Sequence, residues 1–305
     1  MHGLRTAESL LLLLLFAYPA YSQDTKPPEI LSGPRSDLVP VVFTVTDKQG
    51  AFAKDLQANR FKILDNNLPQ EIAKFEAQTE RPLRLGLLID ASNAIQDRFA
   101  FEQQAASAFL EQVLRPATDK AFVLSFDEVP DTVQDFTNEQ DRLAAGIKSI
   151  RPGSGTAIWD AVYYACRDKM MREKNSTPVR RAMVLIADNS DDQSRVHLAE
   201  AIQMAMLAEV IVYAIDLIPD GMQNGGDRDL HMLAEQTGGR VFLPSRPSDL
   251  TQAFNQIQEE LRSQYIISYK PDNFKINGEF RTIRIIVDDP KLKVRARKGY
   301  YAPKQ

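Results

Sequence analysis

Two predicted strands end in aspartate, and two hydroxyl residues lie in the loops beside them. The apolar run 83–90 ends in Asp90, and a later apolar strand ends in Asp188. Ser92 comes two residues after the first strand, and Thr156 closes a short glycine-rich loop. Because the carboxyl ends of parallel strands meet at one edge of an open sheet, we expect these four side chains to lie together. Carboxylates and hydroxyls are hard oxygen donors, so the pattern predicts a site for Mg²⁺, Mn²⁺ or Ca²⁺.

Some nearby residues also have structural roles open to them. An alternative role for Thr156 is to cap the helix that begins near Ala157. Asp160 falls in the first turn of that helix, where a carboxylate complements the helix dipole, and we interpret it as structural. Asp191 and Asp192 are interpreted as solvated loop residues.

Other groups with catalytic chemistry are scarce. Cys166 is the single cysteine, so an intrachain disulfide is excluded. It lies at helical apolar spacing, which predicts a buried core thiol. His197 and His231 are the only histidines beyond the N-terminal segment, and neither adjoins a motif residue. A histidine zinc site, a catalytic triad and a hydrolase are therefore disfavoured, and we predict that the protein is not an enzyme.

Strands and helices alternate over residues 81–262. Runs of consecutive apolar residues predict strands buried on both faces, and apolar residues at helical spacing predict the helices between them. The predicted strands are 83–90, 121–126, 182–187, 210–217 and 241–243, and the predicted helices are 99–114, 141–150, 157–171, 198–207, 229–236 and 250–261. This alternation predicts an α/β fold with a doubly wound, mostly parallel sheet covered on both sides.

Short strands precede and follow that region. Neither set has enough apolar face to bury a core alone, so we predict that residues 37–80 and 263–305 form one discontinuous β-sandwich-like domain. Their predicted strands are 38–46, 61–64, 71–75, 265–269, 280–287 and 292–296. Basic residues at alternate positions of the last strand are predicted to form a solvated face. They are Lys291, Lys293, Arg295 and Arg297.

The first 22 residues have the pattern of a cleaved signal peptide. A basic residue precedes the apolar run 10–17, and small residues at 20 and 22 resemble a cleavage site. The run is shorter than the roughly 20 apolar residues that span a bilayer. Residues 23–36 are rich in proline and serine and are predicted to be a flexible leader. We therefore expect a secreted, periplasmic or cell-envelope protein.

The overall charge is mildly acidic, because 37 basic residues stand against 41 acidic ones, a formal net charge of −4. Such a chain has no electrostatic footprint for nucleic acid or for anionic lipid. Beyond the N-terminal segment no apolar stretch is long enough to span a bilayer, so we expect no stable membrane insertion.

Three segments resemble the motif of a known family, the von Willebrand factor A domains. The stretch 90–94, D-A-S-N-A, is similar to the family element D-x-S-x-S, and 155–161, G-T-A-I-W-D-A, is similar to G-T-A-L-x-D-A. The stretch 185–189, L-I-A-D-N, resembles the strand that ends in T-D-G. Four further segments, 55–75, 234–240, 263–265 and 295–301, resemble those of an exported bacterial subgroup, the von Willebrand factor A-related acidobacterial domain proteins.

The resemblance implies a Rossmann-like von Willebrand factor A fold over 81–262 and a metal-ion-dependent adhesion site. In that site Asp90 would hold the ion mainly through bound water, Ser92 and Thr156 through their hydroxyls, and Asp188 would lie close by. The family leaves one coordination position open, which a carboxylate of a partner protein fills. The resemblance thus implies a non-enzymatic, extracytoplasmic protein-binding or adhesion module whose cofactor is Mg²⁺, or Mn²⁺ or Ca²⁺ in its place.

Three positions depart from the family motif. Ala94 replaces the second serine and removes one hydroxyl ligand, while Asn93 and Asn189 stand where glycine is usual. Mg²⁺ keeps bound waters readily, so water could replace the missing hydroxyl with some loss of affinity. These departures leave open an alternative function, a metal-independent scaffold or assembly module with a vestigial metal site.

Overall fold

The structure is a computed structural model that describes residues 38–77, 81–92, 99–187, 191–217, 226–244, 246–272 and 276–303. Its strands are β1 (Val39–Thr46), β2 (Phe61–Asp65), β3 (Leu68–Gln70), β4 (Ile72–Glu76), β5 (Leu83–Asp90), β6 (Lys120–Phe126), β7 (Pro130–Thr137), β8 (Arg180–Ala187), β9 (Val210–Asp216), β10 (Val241–Phe242), β11 (Tyr265–Tyr269), β12 (Phe280–Val287), β13 (Lys293–Ala296) and β14 (Gly299–Tyr301). Its helices are α1 (Phe99–Val113), α2 (Gln140–Ser149), α3 (Ile158–Tyr164), α4 (Leu198–Leu207), α5 (Gly226–Thr237) and α6 (Pro247–Arg262).

The central sheet has the strand order β10-β9-β8-β5-β6-β7. All neighbouring strands in it are parallel except β6 and β7, which are antiparallel. Every residue of β5 is buried, which explains its nearly continuous apolar sequence. β6 follows β5 along the chain and lies on one side of it, whereas β8 lies on the other side. The direction in which strands are added to the sheet therefore reverses between β5 and β8. Ligand sites of open α/β sheets lie at such a reversal.

Helices cover both faces of this sheet. Alternate residues of β5 point to opposite faces, so Leu85 and Leu87 pack in one core cluster and Leu88 in the other. The first cluster includes apolar residues of α1, α2 and α6, and the second includes those of α3, α4 and α5. The predicted doubly wound α/β fold is confirmed.

Strands from the two ends of the chain form two antiparallel sheets. Their orders are β13-β1-β11-β4 and β14-β12-β2-β3, so each sheet combines strands from before and after the α/β region. β1 pairs with β11, and β2 pairs with β12. The inner faces share one apolar core, in which Phe43, Phe61, Phe75 and Tyr265 pack ring against ring. The predicted mixing of N- and C-terminal strands is confirmed.

Three strands were not predicted from the sequence: β3, β7 and β14. β7 is the edge strand of the central sheet and most of its residues are only partly buried, so it lacks a continuous apolar run. It also begins with proline and contains aspartates, residues that are depleted in strands but tolerated at an edge. The predicted helix 157–171 exists as α3 followed by a π-helical turn, Ala165–Met170.

The predicted solvated basic face around β13 is wrong at two positions. Lys291 and Lys293 are exposed, but Arg297 is buried and Arg295 is partly buried. Arg295 forms an ion pair with the completely buried Glu260 of α6. An alternating pattern shows which residues share a face but not what packs on that face. In the part of the chain that the structure describes, no helix is both long and apolar enough to cross a membrane.

Candidate metal site at the carboxyl edge of the central sheet

Asp90 and Ser92 lie buried where β5 ends. Asp90 is the last residue of the strand and has no exposed surface. Its Oδ1 accepts a hydrogen bond of 2.8 Å from the backbone N–H of Ser92, which turns the chain directly after the strand. Ser92 is 5% exposed, and its Oγ makes no hydrogen bond with any residue that the structure describes. Leaving a buried hydroxyl unpaired costs about 1–3 kcal/mol, so a ligand that interacts with this oxygen would remove that cost.

The loop that carries Thr156 is tied to the same edge by backbone hydrogen bonds. The N–H of Gly153 donates to the carbonyl of Ala91 at 2.5 Å, and the N–H of Ala157 donates to the carbonyl of Asp127 at 2.7 Å. Ala91 lies between Asp90 and Ser92, so the loop lies directly against them. Thr156 itself is 5% exposed. The structure therefore brings three of the four predicted ligands to one edge of the sheet.

Two glycines allow this loop to approach so closely. A Cβ atom at Gly153 would lie 2.1 Å from Oδ2 and 2.9 Å from Cβ of Asp127, so a side chain at this position would force Asp127 to shift. Gly155 has a φ of +73°, in the left-handed region that other residues rarely adopt. Steric and backbone constraints thus explain why glycine occupies positions 153 and 155, whether or not the site holds a ligand.

The fourth predicted ligand, Asp188, lies outside the described residues, as do Asn93, Ala94 and Asn189. The residue before it, Ala187, ends β8 and is buried. β8 runs parallel to β5, with Ile186 in register with Ile89. Both strands therefore end at the same edge of the sheet, and the role of Asp188 as a ligand stays a prediction.

Asp216 is a further buried acid at this edge and is not among the predicted ligands. It ends β9 and is 1% exposed, in register with Ala187 of the neighbouring strand. Because side chains in register on parallel strands point to the same face, Asp216 shares a face with Ala187 and Asp90. A signal was present in the sequence, since Ile215-Asp216 repeats the apolar-to-aspartate step seen at Ile89-Asp90.

Asp191 is a capping residue, and its interpretation as a solvated residue is wrong. Its Oδ1 accepts hydrogen bonds from the N–H groups of Ile158 and Trp159 at 2.7 and 3.4 Å, and from the hydroxyl of Ser194 at 2.6 Å. Burial raises the pKa of Asp191 above its ordinary value, although these hydrogen bonds partly oppose the rise. Asp191 and Ser194 thus cap α3, the role that the sequence left open for Thr156.

Two more aspartates hold the loop after β8 against α3. Oδ1 of Asp192 accepts a hydrogen bond of 2.8 Å from the N–H of Thr156, and the N–H of Asp192 donates back to the Thr156 carbonyl at 3.0 Å. Oδ1 of Asp160 accepts hydrogen bonds from the N–H groups of Arg195 and Val196 at 3.0 and 2.8 Å. Residues 192–196 are therefore held at Asp192 by the backbone of Thr156 and at Arg195 and Val196 by the side chain of Asp160. Asp160 thus has a structural role.

A hard cation at this edge would need hydroxyl groups and water to complete its coordination shell, because few carboxylates are available among the described residues. Within the described ranges, no group of three or more His, Cys, Asp or Glu residues is arranged to hold a metal ion. Among the predicted ligands, the described donors are the carboxylate of Asp90 and the hydroxyls of Ser92 and Thr156. Mg²⁺ in proteins is often held by one or two carboxylates and several waters, so this set fits Mg²⁺ better than Zn²⁺, which prefers nitrogen and sulfur.

Cys166 takes no part in this edge. It is completely buried among the apolar residues between the sheet and α3, as the sequence predicts. Burial raises the pKa of its thiol well above the ordinary value, which opposes formation of a reactive thiolate.

Comparison with known proteins agrees with this geometry. Residues 85–193 match the family model of the von Willebrand factor type A domain, and this segment contains β5, β8, Asp90, Ser92 and Thr156. The chain carries a von Willebrand factor type A domain. Von Willebrand factor A domains are protein-interaction and adhesion modules and are generally not enzymes. No curated protein matches the chain significantly.

Solved structures share the von Willebrand factor A fold at low sequence identity. A von Willebrand factor type A structure from Catenulispora acidiphila has a TM-score of 0.54 and 12% identity, and the match covers 81% of this chain and 74% of that one. Proximal thread matrix protein 1 from the mussel byssus has a TM-score of 0.53 and 13% identity. That match covers 65% of this chain and 51% of the mussel protein, so this chain spans about half of that relative.

Another structure of the mussel protein has a zinc-occupied MIDAS motif, the abbreviation for metal-ion-dependent adhesion site. It has a TM-score of 0.53 and 14% identity, and the match covers 65% of this chain and 50% of that one. At such identities the likeness to these structures concerns the fold alone.

Proposed function

We propose that this protein is a non-enzymatic, extracytoplasmic protein-binding module whose von Willebrand factor A domain binds a divalent cation at the carboxyl edge of the central sheet. Asp90, Ser92, Thr156 and Asp188 would hold the cation, with Mg²⁺ favoured over Mn²⁺ or Ca²⁺. Once bound, the ion supplies positive charge and an open coordination position for a carboxylate of the partner protein. The extracytoplasmic location depends on the signal-peptide pattern of residues 1–22.

One observation carries the proposal: the buried, unpaired Oγ of Ser92, two residues beyond the buried Asp90. Proteins rarely bury a hydroxyl without a hydrogen-bond partner, and a cation would provide that partner. The loop of Thr156, hydrogen-bonded to Ala91, places a second buried hydroxyl residue at the same edge. The mussel protein, which shares the fold, has a structure with a zinc-occupied MIDAS motif, and this supports metal binding by this domain.

Calorimetric titration with Mg²⁺ and Mn²⁺ tests the metal site. We expect the wild-type protein to bind one ion in the millimolar range or tighter, and Ser92→Ala to weaken binding about tenfold or more, because loss of a metal-site group typically costs 10–100-fold. Asp90→Asn should weaken it at least as much. Ser154→Ala is the matched control, because that serine is exposed in the same glycine loop and hydrogen-bonds Glu128. Absence of saturable binding up to millimolar metal would overturn the metal-dependent proposal.

The departure at Ala94 specifically favours a second function, a metal-independent scaffold or assembly module. This residue replaces a hydroxyl ligand of the family motif. The two functions differ in how partner capture from cell-envelope extract responds to a chelator. Capture that a chelator abolishes, and that excess Mg²⁺ restores, supports the first. Capture that is unchanged by the chelator and by Ser92→Ala supports the second.

A further inference from the structure

The opposite edge of the central sheet holds a basic cleft that the proposed metal site does not use. The cleft lies where β8 and β9 begin, and residues of the antiparallel sheets close its other side. Its volume of about 40 Å³ is room for roughly three water-sized groups. Its lining includes five charged residues and the backbone carbonyl-bearing Pro40. The charged residues are Arg81, Arg180, Arg181, Glu209 and Arg297.

Positive charge is in excess in this cleft. Of its described lining residues, four are arginines and one is a glutamate, which leaves a formal charge of +3. Arg81 is balanced by an ion pair with Glu76 outside the cleft. Burial lowers the pKa of Arg180 to about 10; the nearby charge of Asp119 opposes this fall, and the charges of Arg115 and Arg81 add to it. An anion in the cleft would relieve this accumulation of like charge.

Two arginines that line the cleft each have a buried Nε–H donor without an acceptor. Nε of Arg181 and Nε of Arg297 make no hydrogen bond with any part of the chain that the structure describes. The rest of each guanidinium is held in place. Nη1 of Arg181 is 3.4 Å from the carbonyl of Ala208, and Nη2 of Arg297 donates to the carbonyl of Pro40 at 2.9 Å. Arg297 is only 9% exposed, so water has little access to its unpaired donor.

The single acid among these lining residues is placed at a conformational cost. Glu209 follows the C-terminus of α4 with a φ of +55°, in the left-handed region where glycine or asparagine is usual. Its carboxylate lies 3.6 Å from Nη1 of Arg297, which makes an ion pair but satisfies neither free Nε. Glu209 therefore offsets only part of the positive charge of the arginines that line the cleft.

We propose that this cleft binds a small oxyanion of the phosphate class, which accepts hydrogen bonds from Arg181 and Arg297 together. Guanidinium groups bind phosphate with paired N–H···O contacts, and the several oxygens of a phosphate can accept from two arginines at once. Because Arg181 belongs to the central sheet and Arg297 follows β13, the bound ion links the α/β region to the antiparallel sheets. The volume of the cleft limits the ligand to one phosphate group, either as the free ion or at the end of a larger molecule.

Isothermal titration with inorganic phosphate tests the site, with chloride adjusted to keep the ionic strength constant. We expect saturable binding to the wild-type protein and about tenfold or greater weakening in Arg181→Gln, because a lost charged hydrogen bond has about that effect. Arg142→Gln is the control, since Arg142 is an exposed arginine of α2 far along the chain from the cleft residues. No saturable binding, or equal binding by Arg181→Gln and the wild type, would overturn the proposal.

Glu209→Gln gives a result of opposite sign that does not depend on weakening the fold. Its side chain is 46% exposed, so the substitution should leave folding intact. Removing its charge should tighten phosphate binding about two- to fivefold, the size of an exposed ion-pair effect. Weaker phosphate binding in this variant would contradict the proposal. Phosphoserine as a second titrant distinguishes the source of the ligand: tighter binding than inorganic phosphate assigns the cleft to a phosphorylated molecule, and weaker binding assigns it to the free ion.

Discussion

Asp65 is a completely buried carboxylate at the centre of the antiparallel sheets. Its Oδ2 accepts hydrogen bonds of 2.9 Å from the hydroxyls of Tyr269 and Tyr300, and its Oδ1 accepts one of 2.9 Å from Nε of Arg281. These donors come from β11, β14 and β12, so one carboxylate joins strands of both sheets. Burial raises the pKa of Tyr300 to about 12, and the neighbouring charge of Asp65 adds to that rise. Burial, Tyr300 and Asp65 raise the pKa of Tyr269 as well.

We predict that alkaline pH destabilises the protein through these tyrosines. A tyrosine in the unfolded chain loses its proton near pH 10, whereas Tyr300 keeps its proton in the folded protein until about pH 12. The contribution of Tyr300 to stability is therefore complete below about pH 10 and is lost as the pH rises towards 12. Urea unfolding at a series of pH values measures this loss.

Tyr300→Phe separates this effect from general alkaline damage. The variant should be about 1.5–3 kcal/mol less stable at neutral pH, because it loses a hydrogen bond to a charged group. Its stability should then decline less steeply between pH 10 and 12 than that of the wild type. Tyr164→Phe, a half-buried phenol outside this network, should follow the wild-type curve. An identical decline in wild type and Tyr300→Phe would refute the assignment.

At the scale of elements, α3 depends on a side chain far along the chain for its first turn. Ala157 precedes the helix and cannot cap it with its own side chain, so Asp191 and Ser194 bind the N–H groups of the first turn instead. This arrangement ties the start of α3 to the loop beyond β8. The stability of the helix and the position of the Thr156 loop are therefore coupled.

We predict that Asp191→Ala lowers the free energy of unfolding by about 1 kcal/mol, the usual cost of losing an N-cap oxygen. Asp191→Asn should cost less, because its amide oxygen can still accept the bonds from Ile158 and Ser194. Burial already disfavours the charged form of Asp191, so loss of the charge carries little penalty. Asp141→Ala, an exposed acid in the first turn of α2, is the control and should cost only a few tenths of a kcal/mol. Equal losses in Asp191→Asn and Asp191→Ala would contradict the capping role.

At the scale of the whole molecule, Glu260 connects the α/β region to the antiparallel sheets. It lies on α6 with no exposed surface and forms ion pairs with Arg240, at 3.2 Å, and with Arg295 of β13. Tyr213 lies in the same buried group, and burial followed by the charge of Glu260 raises the pKa of its phenol. Breaking a buried ion pair by removing one partner leaves uncompensated charge.

We predict that Glu260→Gln lowers the free energy of unfolding by about 3–5 kcal/mol, because two half-buried arginines lose the fully buried carboxylate that is their partner. Glu259→Gln is the matched control, an exposed glutamate one position earlier on the same helix, and should change stability by less than about 0.5 kcal/mol. Chemical denaturation of both variants gives the comparison. Glu260→Gln as stable as Glu259→Gln would show that the buried pairs contribute nothing to joining the two parts.

Much of the architecture could be predicted from apolar spacing alone. β5 and β8 are buried on both faces, and that burial requires the runs of apolar residues that identify them. β7 could not be predicted in the same way, because an edge strand needs few apolar residues. Within the candidate site, Asp90, Ser92 and Thr156 were predicted from strand-end and loop patterns. Asp216 followed the same pattern and was passed over, while the capping role of Asp191 has no local signal.

The order of the elements, the parallel central sheet and the acid at the end of β5 can all be inferred from the sequence alone. These follow from the spacing of apolar residues within short windows, which depends only on local periodicity and burial. Strand order and packing decide which distant polar groups come together: Glu260 with Arg295, Asp65 with Tyr269 and Tyr300, and Arg181 with Arg297 at the basic cleft. Those meetings depend on strand order and register between the two ends of the chain, and local spacing contains no information about either.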